Sequence, residues 1–191
     1  MVKNSVDAPD WSGIPAPHDD GATRHLLGIT LPSIPLQATN GTMVSLAALP
    51  GRTVVYAYPR TGQPGVENPA GWDMIPGARG CSPQSCSFRD HFAALRQLGV
   101  GHLYGLSTQD TAYQSEAAER FHLPFPLLSD EHLDLTRTSN LPTFEADGMT
   151  LVKRFTLVIN DGKVTHVFYP VFPPDQSASD VVAWLSAEQP S

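Results

Sequence analysis

Apolar residues recur in patterns that change from one segment to the next, beginning at about residue 26. An Asn40-Gly41 pair predicts a hairpin turn early in this region. Residues 53–58 are β-branched, aromatic or small on both faces, which is typical of a strand buried in the middle of a sheet, and residues 103–106 form a second short apolar run. Between the two runs, apolar side chains at spacings of four and three residues predict a helix: Phe88, Phe92, Leu95 and Leu98.

The order of these elements predicts an α/β domain. A strand, a helix and a second strand joined in this way form a right-handed crossover, so the two strands should be parallel. Residues 155–159 and 164–169 flank an Asn-Asp-Gly-Lys turn and predict an antiparallel hairpin, and residues 177–187 predict a final amphipathic helix. This order is typical of the thioredoxin-like fold, with a central mixed sheet flanked by helices over residues 26–191.

Two segments lack this periodicity. Residues 1–25 are polar and contain several prolines, and we interpret them as an extended arm that is either disordered or docked on the domain. The loop at about residues 60–80 is rich in glycine and proline and is too long for a passive connection in a compact domain. A loop of this length is usually either functional or disordered.

Composition and charge narrow the classes of function. The 191 residues fit one domain, and 41% hydrophobic with 16% charged residues is ordinary for a globular protein. A net charge of -7 without a basic cluster argues against nucleic acid as a partner. The N-terminus lacks the apolar core of a secretory signal, and no stretch is long enough to span a membrane, which predicts a cytoplasmic protein without a membrane partner.

The two cysteines, Cys81 and Cys86, are the candidate chemical groups. In a reducing compartment a close pair of this kind is catalytic or metal-binding more often than structural. If Ser82 caps the following helix and Pro83 opens it, Cys81 lies just before the first turn. Unpaired N–H groups and the helix dipole then favour a thiolate there, and Arg79 is a nearby source of positive charge.

The spacing of the pair restricts how it can react. On a regular helix, residues five positions apart have Cα atoms roughly 8–9 Å apart. A disulfide reaches at most about 7 Å between Cα atoms. A bond between Cys81 and Cys86 therefore requires the first turns of the helix to unwind.

The spacing alone leaves other interpretations of the cysteine pair open. Both cysteines could be core residues, since free cysteine is among the most buried residue types. His91 completes a Cys-x4-Cys-x4-His set, but steps of five residues do not keep ligands on one helix face, and we predict no metal. The Cys-x-x-Cys spacing of general disulfide reductases is absent.

The surrounding residues resemble a known family. Residues 80–90, G-C-S-P-Q-S-C-S-F-R-D, resemble the active-site helix of Q-type (bacterioferritin-comigratory-like) peroxiredoxins, with the pattern G-C-T-x-x-A-C-x-F-R-D. Residues 125–130 match the family's F-P-L-L-S-D, and residues 154–159 resemble its R-x-T-x-x-I strand. The resemblance covers about residues 26–186.

This resemblance implies an atypical 2-Cys thiol peroxidase that reduces hydrogen peroxide or organic hydroperoxides without a cofactor. Cys81 would become a sulfenic acid, Cys86 would resolve it as an intrachain disulfide, and thioredoxin or a similar thiol reductant would recycle the enzyme. Arg154 would stabilise the thiolate and orient the peroxide. The oligomeric state stays open between monomer and homodimer. The alternatives are a thiol–disulfide oxidoreductase and a non-enzymatic redox sensor that use the same pair.

One departure from the family pattern concerns the active-site hydroxyl. The family places a proline and a threonine or serine seven and three residues before the reactive cysteine, where this chain has Met74 and Ala78. Our hypothesis is that the inserted residues, about 62–76, double back so that Thr61 supplies the hydroxyl to the peroxide.

Overall fold

The computed structural model describes residues 9–189, so residues 1–8 of the predicted arm and residues 190–191 lie outside the described residues. The strands of the described part are β1 Pro35–Ala38, β2 Met43–Ser45, β3 Arg52–Ala57, β4 Val100–Ser107, β5 Leu127–Ser129, β6 Thr143–Ala146, β7 Met149–Val152, β8 Phe155–Asn160 and β9 Lys163–Phe168. The α-helices are α1 Cys81–Asp90, α2 Phe92–Gln97, α3 Thr111–Arg120, α4 Asp134–Thr138 and α5 Ser177–Glu188. No helix in this part of the chain is long and apolar enough to cross a bilayer.

Seven of the strands form one mixed sheet, in the order β2-β1-β5-β4-β3-β8-β9. β4 runs parallel to both β3 and β5, while β8 and β9 form an antiparallel hairpin beside β3. The α1–α2 segment provides the crossover from β3 to β4. The predicted thioredoxin-like arrangement, with a central mixed sheet and flanking helices, is therefore confirmed.

The buried strand β3 contributes side chains to both faces of the sheet, as its sequence predicts. Val54 and Tyr56 pack in a cluster with α1, α2 and α5, whereas Val55 and Ala57 pack in a cluster on the opposite face. This division follows from the alternation of side chains along a strand. Cys81 belongs to the first of these clusters, so the helix that carries it lies directly on the sheet.

The structure corrects the sequence analysis on the continuity of the first helix and on the number of sheets. The predicted helix is broken at His91, whose backbone ends α1 and precedes α2. A second, two-stranded sheet formed by β6 and β7 was not predicted. Its turn is Asp147-Gly148, both with positive φ, so an Asp-Gly hairpin signal was present in the sequence.

The inserted loop packs against this small hairpin. Trp72 and Ala78 are buried in a separate apolar cluster with Ala146 and Leu151, and Phe144 packs at its edge. The loop is thus packed in place beside the start of α1.

The described part of the N-terminal arm, residues 9–25, also contacts the domain. Trp11 donates through Nε1 to Asp175 Oδ1 at 2.9 Å. Asp20 accepts from Lys153 Nζ at 2.8 Å and from the Tyr169 hydroxyl at 2.7 Å. The arm is therefore tied to the domain at two places, near its beginning and near its end.

Gly80 joins the loop to α1 in a conformation that L side chains rarely adopt. Its φ is 109°, and a Cβ built on it would lie 2.5 Å from Pro174 Cγ and 2.9 Å from Trp11 Cη2. Backbone strain and steric overlap both exclude a side chain here.

Replacing Gly80 with alanine tests this constraint. We expect Gly80→Ala to lower the free energy of unfolding by about 2–4 kcal/mol, since it combines a positive φ with a clash against Pro174. The matched control is Gly71→Ala, because Gly71 has a φ of 71° but nothing within 4 Å of its added Cβ. Urea denaturation measures both, and equal losses in the two variants would contradict the packing argument.

Candidate active site

Cys81 is the first residue of α1, and its side chain is 3% exposed. The helix begins two residues earlier than predicted, because Gly80 and not Ser82 occupies the N-cap position. The Gly80 carbonyl accepts the first helical bond, from Gln84 N at 3.0 Å. The sulfur therefore lies in the first turn, where the backbone N–H groups have no partner within the helix.

The cation that contacts this sulfur is Arg154, which lies just before β8 and is 3% exposed. Arg154 Nη2 is 3.2 Å from Cys81 Sγ. The same nitrogen is 3.2 Å from the carbonyl oxygens of Gly77, Ala78 and Arg79, at the end of the inserted loop. One guanidinium thus fixes the sulfur and the backbone that leads into it.

Of the other two nitrogens of the Arg154 guanidinium group, one bonds to Gln84 and one has no partner within residues 9–189. Nη1 donates to Gln84 Oε1, and Gln84 Nε2 in turn donates to Ser177 Oγ at 3.2 Å on α5. Arg154 Nε, by contrast, is buried without a hydrogen-bond partner among the described residues. A buried donor in this state costs about 1–3 kcal/mol, and an acceptor atom of a bound ligand would remove that cost.

Arg79 does not have the role that its position in the sequence indicates. Its guanidinium pairs with Asp73 at 3.4 Å, and both side chains are about half exposed. Arg79 contributes its backbone carbonyl to Arg154, while the positive charge at the sulfur comes from Arg154.

Cys86 lies one and a half turns further along α1 and is half-buried. Both cysteines are free thiols in this structure, which is consistent with the helix separating them. Burial raises the pKa of the Cys86 thiol, and the neighbouring Arg89 guanidinium partly counters this effect. Arg89 also forms the ion pair with Asp90, at 2.9 Å.

Thr61 is buried, and its hydroxyl is engaged by Gln109. Its Oγ1 donates to Gln109 Oε1 at 3.3 Å, and Gln109 Nε2 donates to the Thr61 carbonyl at 3.1 Å. Within residues 9–189, Cys81 Sγ has hydrogen bonds to Ala78 O at 3.6 Å and to Arg154. A role for Thr61 at the peroxide therefore stays a prediction.

Two residues near the sulfur received no role from the sequence. Gln84 lies three positions after Cys81, so the helical repeat places it close to the same face, and this spacing was the available signal. Tyr58 is fully buried, and its pKa is raised by burial, with a smaller effect from Cys81. Its burial follows from the predicted central strand, whereas its position near Cys81 could not be derived without the fold.

The described residues offer no candidate for a metal site. They contain no group of three or more His, Cys, Asp or Glu side chains placed to hold an ion. His91 lies within hydrogen-bond distance of the Ser87 carbonyl through Nδ1, at 2.8 Å. This arrangement is an ordinary contact at the end of a helix.

Comparison with known proteins identifies relatives of this arrangement. The Redoxin family model matches residues 26–185, more than half of the chain. "Peroxiredoxin Q, chloroplastic" from Oryza sativa subsp. japonica is 30% identical over 162 residues, which cover 84% of this chain and 66% of the rice protein. The chain thus spans slightly less than two thirds of the length of that relative.

Solved structures show the same fold. Peroxidoxin BcpB from Mycobacterium tuberculosis superposes with a TM-score of 0.68 at 27% identity, covering 86% of this chain and 98% of the other. Peroxiredoxin Q from Xanthomonas campestris has a TM-score of 0.65 at 22% identity, covering 83% and 95%. At that identity the second likeness shows the fold alone.

The contacts of Arg154 predict a large effect on stability. Arg154→Ala removes the donors that Nη2 shares among the 77–79 carbonyls and that Nη1 offers to Gln84, so we expect the free energy of unfolding to fall by about 3 kcal/mol or more. Arg79→Ala, the control, removes only an exposed ion pair and should cost about 0.5 kcal/mol or less. Urea denaturation compares the two variants, and similar losses would show that Arg154 does not hold the loop.

Proposed function

Because this chain belongs to the Redoxin family, and within it to the peroxiredoxins of the Q type, we propose that it is a thiol peroxidase with Cys81 as the attacking group. The contact between the Arg154 guanidinium and Cys81 Sγ, at 3.2 Å, carries this proposal. A buried cation against a sulfur stabilises the thiolate, which is the nucleophilic form. The position of the sulfur in the first turn of α1 acts in the same direction.

In the first step the Cys81 thiolate attacks the terminal oxygen of a hydroperoxide. The S–O bond forms as the O–O bond breaks, sulfur is oxidised to a sulfenic acid, and the leaving oxygen takes a proton to become water or an alcohol. The Arg154 guanidinium supports this step, because Nη2, which is 3.2 Å from Cys81 Sγ, is a donor for a peroxide oxygen at the sulfur. Thr61 is our candidate for a second donor, once it exchanges its bond to Gln109.

In the second step the Cys86 thiolate attacks the sulfenic sulfur, the S–S bond forms as the S–O bond breaks, and the expelled hydroxide takes a proton to become water, which leaves an intrachain disulfide. Both cysteines belong to one regular helix, so its first turns must open for the sulfurs to meet. Opening breaks the bonds from Arg154 to the 77–79 carbonyls and the packing of Gly80 against Pro174 and Trp11. These contacts hold the form that reacts with peroxide, and their loss permits resolution.

Two electrons and two protons from a dithiol then restore the reduced enzyme. We propose thioredoxin or a similar protein thiol as this reductant, because an exchange with the disulfide needs only an attacking thiolate. The chemistry requires no metal ion or organic cofactor, and an intrachain bond needs no second subunit. A reducing compartment such as the cytoplasm suits this cycle.

The assignment of the two cysteines is tested by intact mass after one equivalent of hydrogen peroxide. The parent should lose the mass of two hydrogens, as expected for a disulfide between Cys81 and Cys86. Cys86→Ser should instead gain one or more oxygens at Cys81, because the sulfenic acid has no resolving partner. The control Cys81→Ser should stay unchanged on this timescale.

Three outcomes would contradict the proposal. A parent whose sulfurs are both untouched by peroxide is not a thiol peroxidase. Oxidation that proceeds equally well in Cys81→Ser would assign the attack to the other cysteine. Slow consumption of peroxide at the rate of free cysteine, with fast exchange with protein disulfides, would favour the oxidoreductase alternative.

The pKa of Cys86 predicts how the second step depends on pH. Burial in the folded helix raises this pKa, and opening returns it towards its ordinary value. The protonated thiol therefore stabilises the folded helix at low pH, and that stabilisation is lost as the pH rises through the folded pKa. Since the thiolate is also the attacking form, disulfide closure should accelerate by about tenfold per pH unit while Cys86 is mainly protonated.

Rapid acid quench after sulfenic acid formation, followed by mass analysis, gives the closure rate at each pH. Arg89→Gln removes the cation that counters the burial effect, so its profile should move to higher pH. A closure rate that does not change between about pH 6 and about pH 9 would contradict this account.

A further inference from the structure

A cavity of about 280 Å³ lies beside the active site, at the point where three additions to the central fold meet. The arm contributes Pro17 and His18, and the inserted loop contributes Ile75 and its neighbours up to Gly77. Phe144 of the β6–β7 hairpin forms a further wall. Each of these segments is outside the seven-stranded sheet.

The cavity reaches the reactive centre through two shared residues. Arg154 lines it, and Arg154 also contacts Cys81 Sγ. Gly77 lines it as well, and its carbonyl accepts from the same guanidinium. A molecule with one end at Arg154 can therefore place the rest of its atoms in this cavity.

Most of the cavity surface favours an uncharged, apolar ligand. Ile75, Phe144 and the prolines on either side are apolar. Its charged side chains other than Arg154 neutralise one another, because Asp20 pairs with Lys153 at 2.8 Å and accepts from the Tyr169 hydroxyl at 2.7 Å. These bonds keep the pKa of Asp20 well below its usual range, so the pair stays ionised.

We propose that this cavity binds the apolar organic group of a hydroperoxide whose O–O end reaches Arg154, the cavity residue that contacts Cys81 Sγ. The inference rests on the proposed function and assigns to it a set of specificity-determining residues. Its volume lies just below the range of sites for drug-sized ligands, which fits a compact aromatic or branched group. Hydrogen peroxide has no organic group to fill it, so the two kinds of substrate should respond differently to changes in the cavity.

The experiment fills the cavity from an exposed residue in its lining. His18 is exposed on the arm and takes no part in the bonds that hold Asp20, so His18→Trp should leave the fold and Cys81 intact while its indole occupies the space. His132→Trp is the matched control, because His132 is 81% exposed in its side chain and does not line the cavity. Steady-state kinetics with hydrogen peroxide and with cumene hydroperoxide are measured for the parent and both variants.

We expect His18→Trp to raise KM for cumene hydroperoxide by about tenfold, which corresponds to about 1.4 kcal/mol of lost binding free energy. KM for hydrogen peroxide should change by less than about twofold, and His132→Trp should change neither value. Equal shifts for the two peroxides in His18→Trp, or no shift for cumene hydroperoxide, would overturn the inference.

A second measurement separates this inference from the proposed function. The product alcohol, 2-phenyl-2-propanol, does not react with the thiol, and its binding to the parent is followed by NMR titration. Binding that weakens by about tenfold in His18→Trp but not in His132→Trp supports the cavity even if neither peroxide is consumed. A parent that consumes hydrogen peroxide but binds the alcohol no more tightly than His18→Trp does refutes the cavity alone.

Discussion

The buried guanidinium of Arg154 is the interaction on which the candidate site depends. It contacts Cys81 Sγ, three successive carbonyls of the inserted loop and the side chain of Gln84. Burying a cation is costly unless its donors are satisfied, and here Nη1 donates to Gln84 while Nη2 lies 3.2 Å from three backbone oxygens and from Cys81 Sγ. Nε is buried without a hydrogen-bond partner among the described residues. Stability of the loop and chemistry at the sulfur therefore depend on the same group.

The proposed mechanism places two opposing requirements on α1. The reaction with peroxide needs the first turn folded, since that turn places Cys81 against Arg154 and in the field of the helix dipole. Disulfide formation needs the same turn open, because Cys81 and Cys86 are too far apart on a regular helix. Gly80, held at a positive φ against Pro174, lies at the junction between the loop and this turn. The burial of Cys86, which raises its pKa, couples this equilibrium to pH.

Features set by local pattern could be predicted from the sequence, whereas those set by distant contacts could not. The parallel β3–β4 pair and the β8–β9 hairpin follow from apolar periodicity and turn residues. The predicted start of α1 was wrong, because Pro83 is a strong signal for a first helical residue, whereas the conformation of Gly80 depends on packing. The β6–β7 hairpin was missed because its strands are only four residues long and largely half-buried. Arg154 was assigned through the family pattern alone, since its contact with Cys81 spans 73 positions.

The arm, the inserted loop and the β6–β7 hairpin form a single packed unit. The loop needs the hairpin, because Trp72 and Ala78 have their buried apolar contacts there. The arm needs both, since Pro17 lies against Gly77 while Asp20 bonds to Lys153, which follows the hairpin. Lys153 precedes Arg154 directly, so the backbone that anchors the arm is also the backbone that positions Arg154. The loop reaches the same guanidinium through its 77–79 carbonyls. All three segments therefore meet beside the residue that contacts Cys81 Sγ.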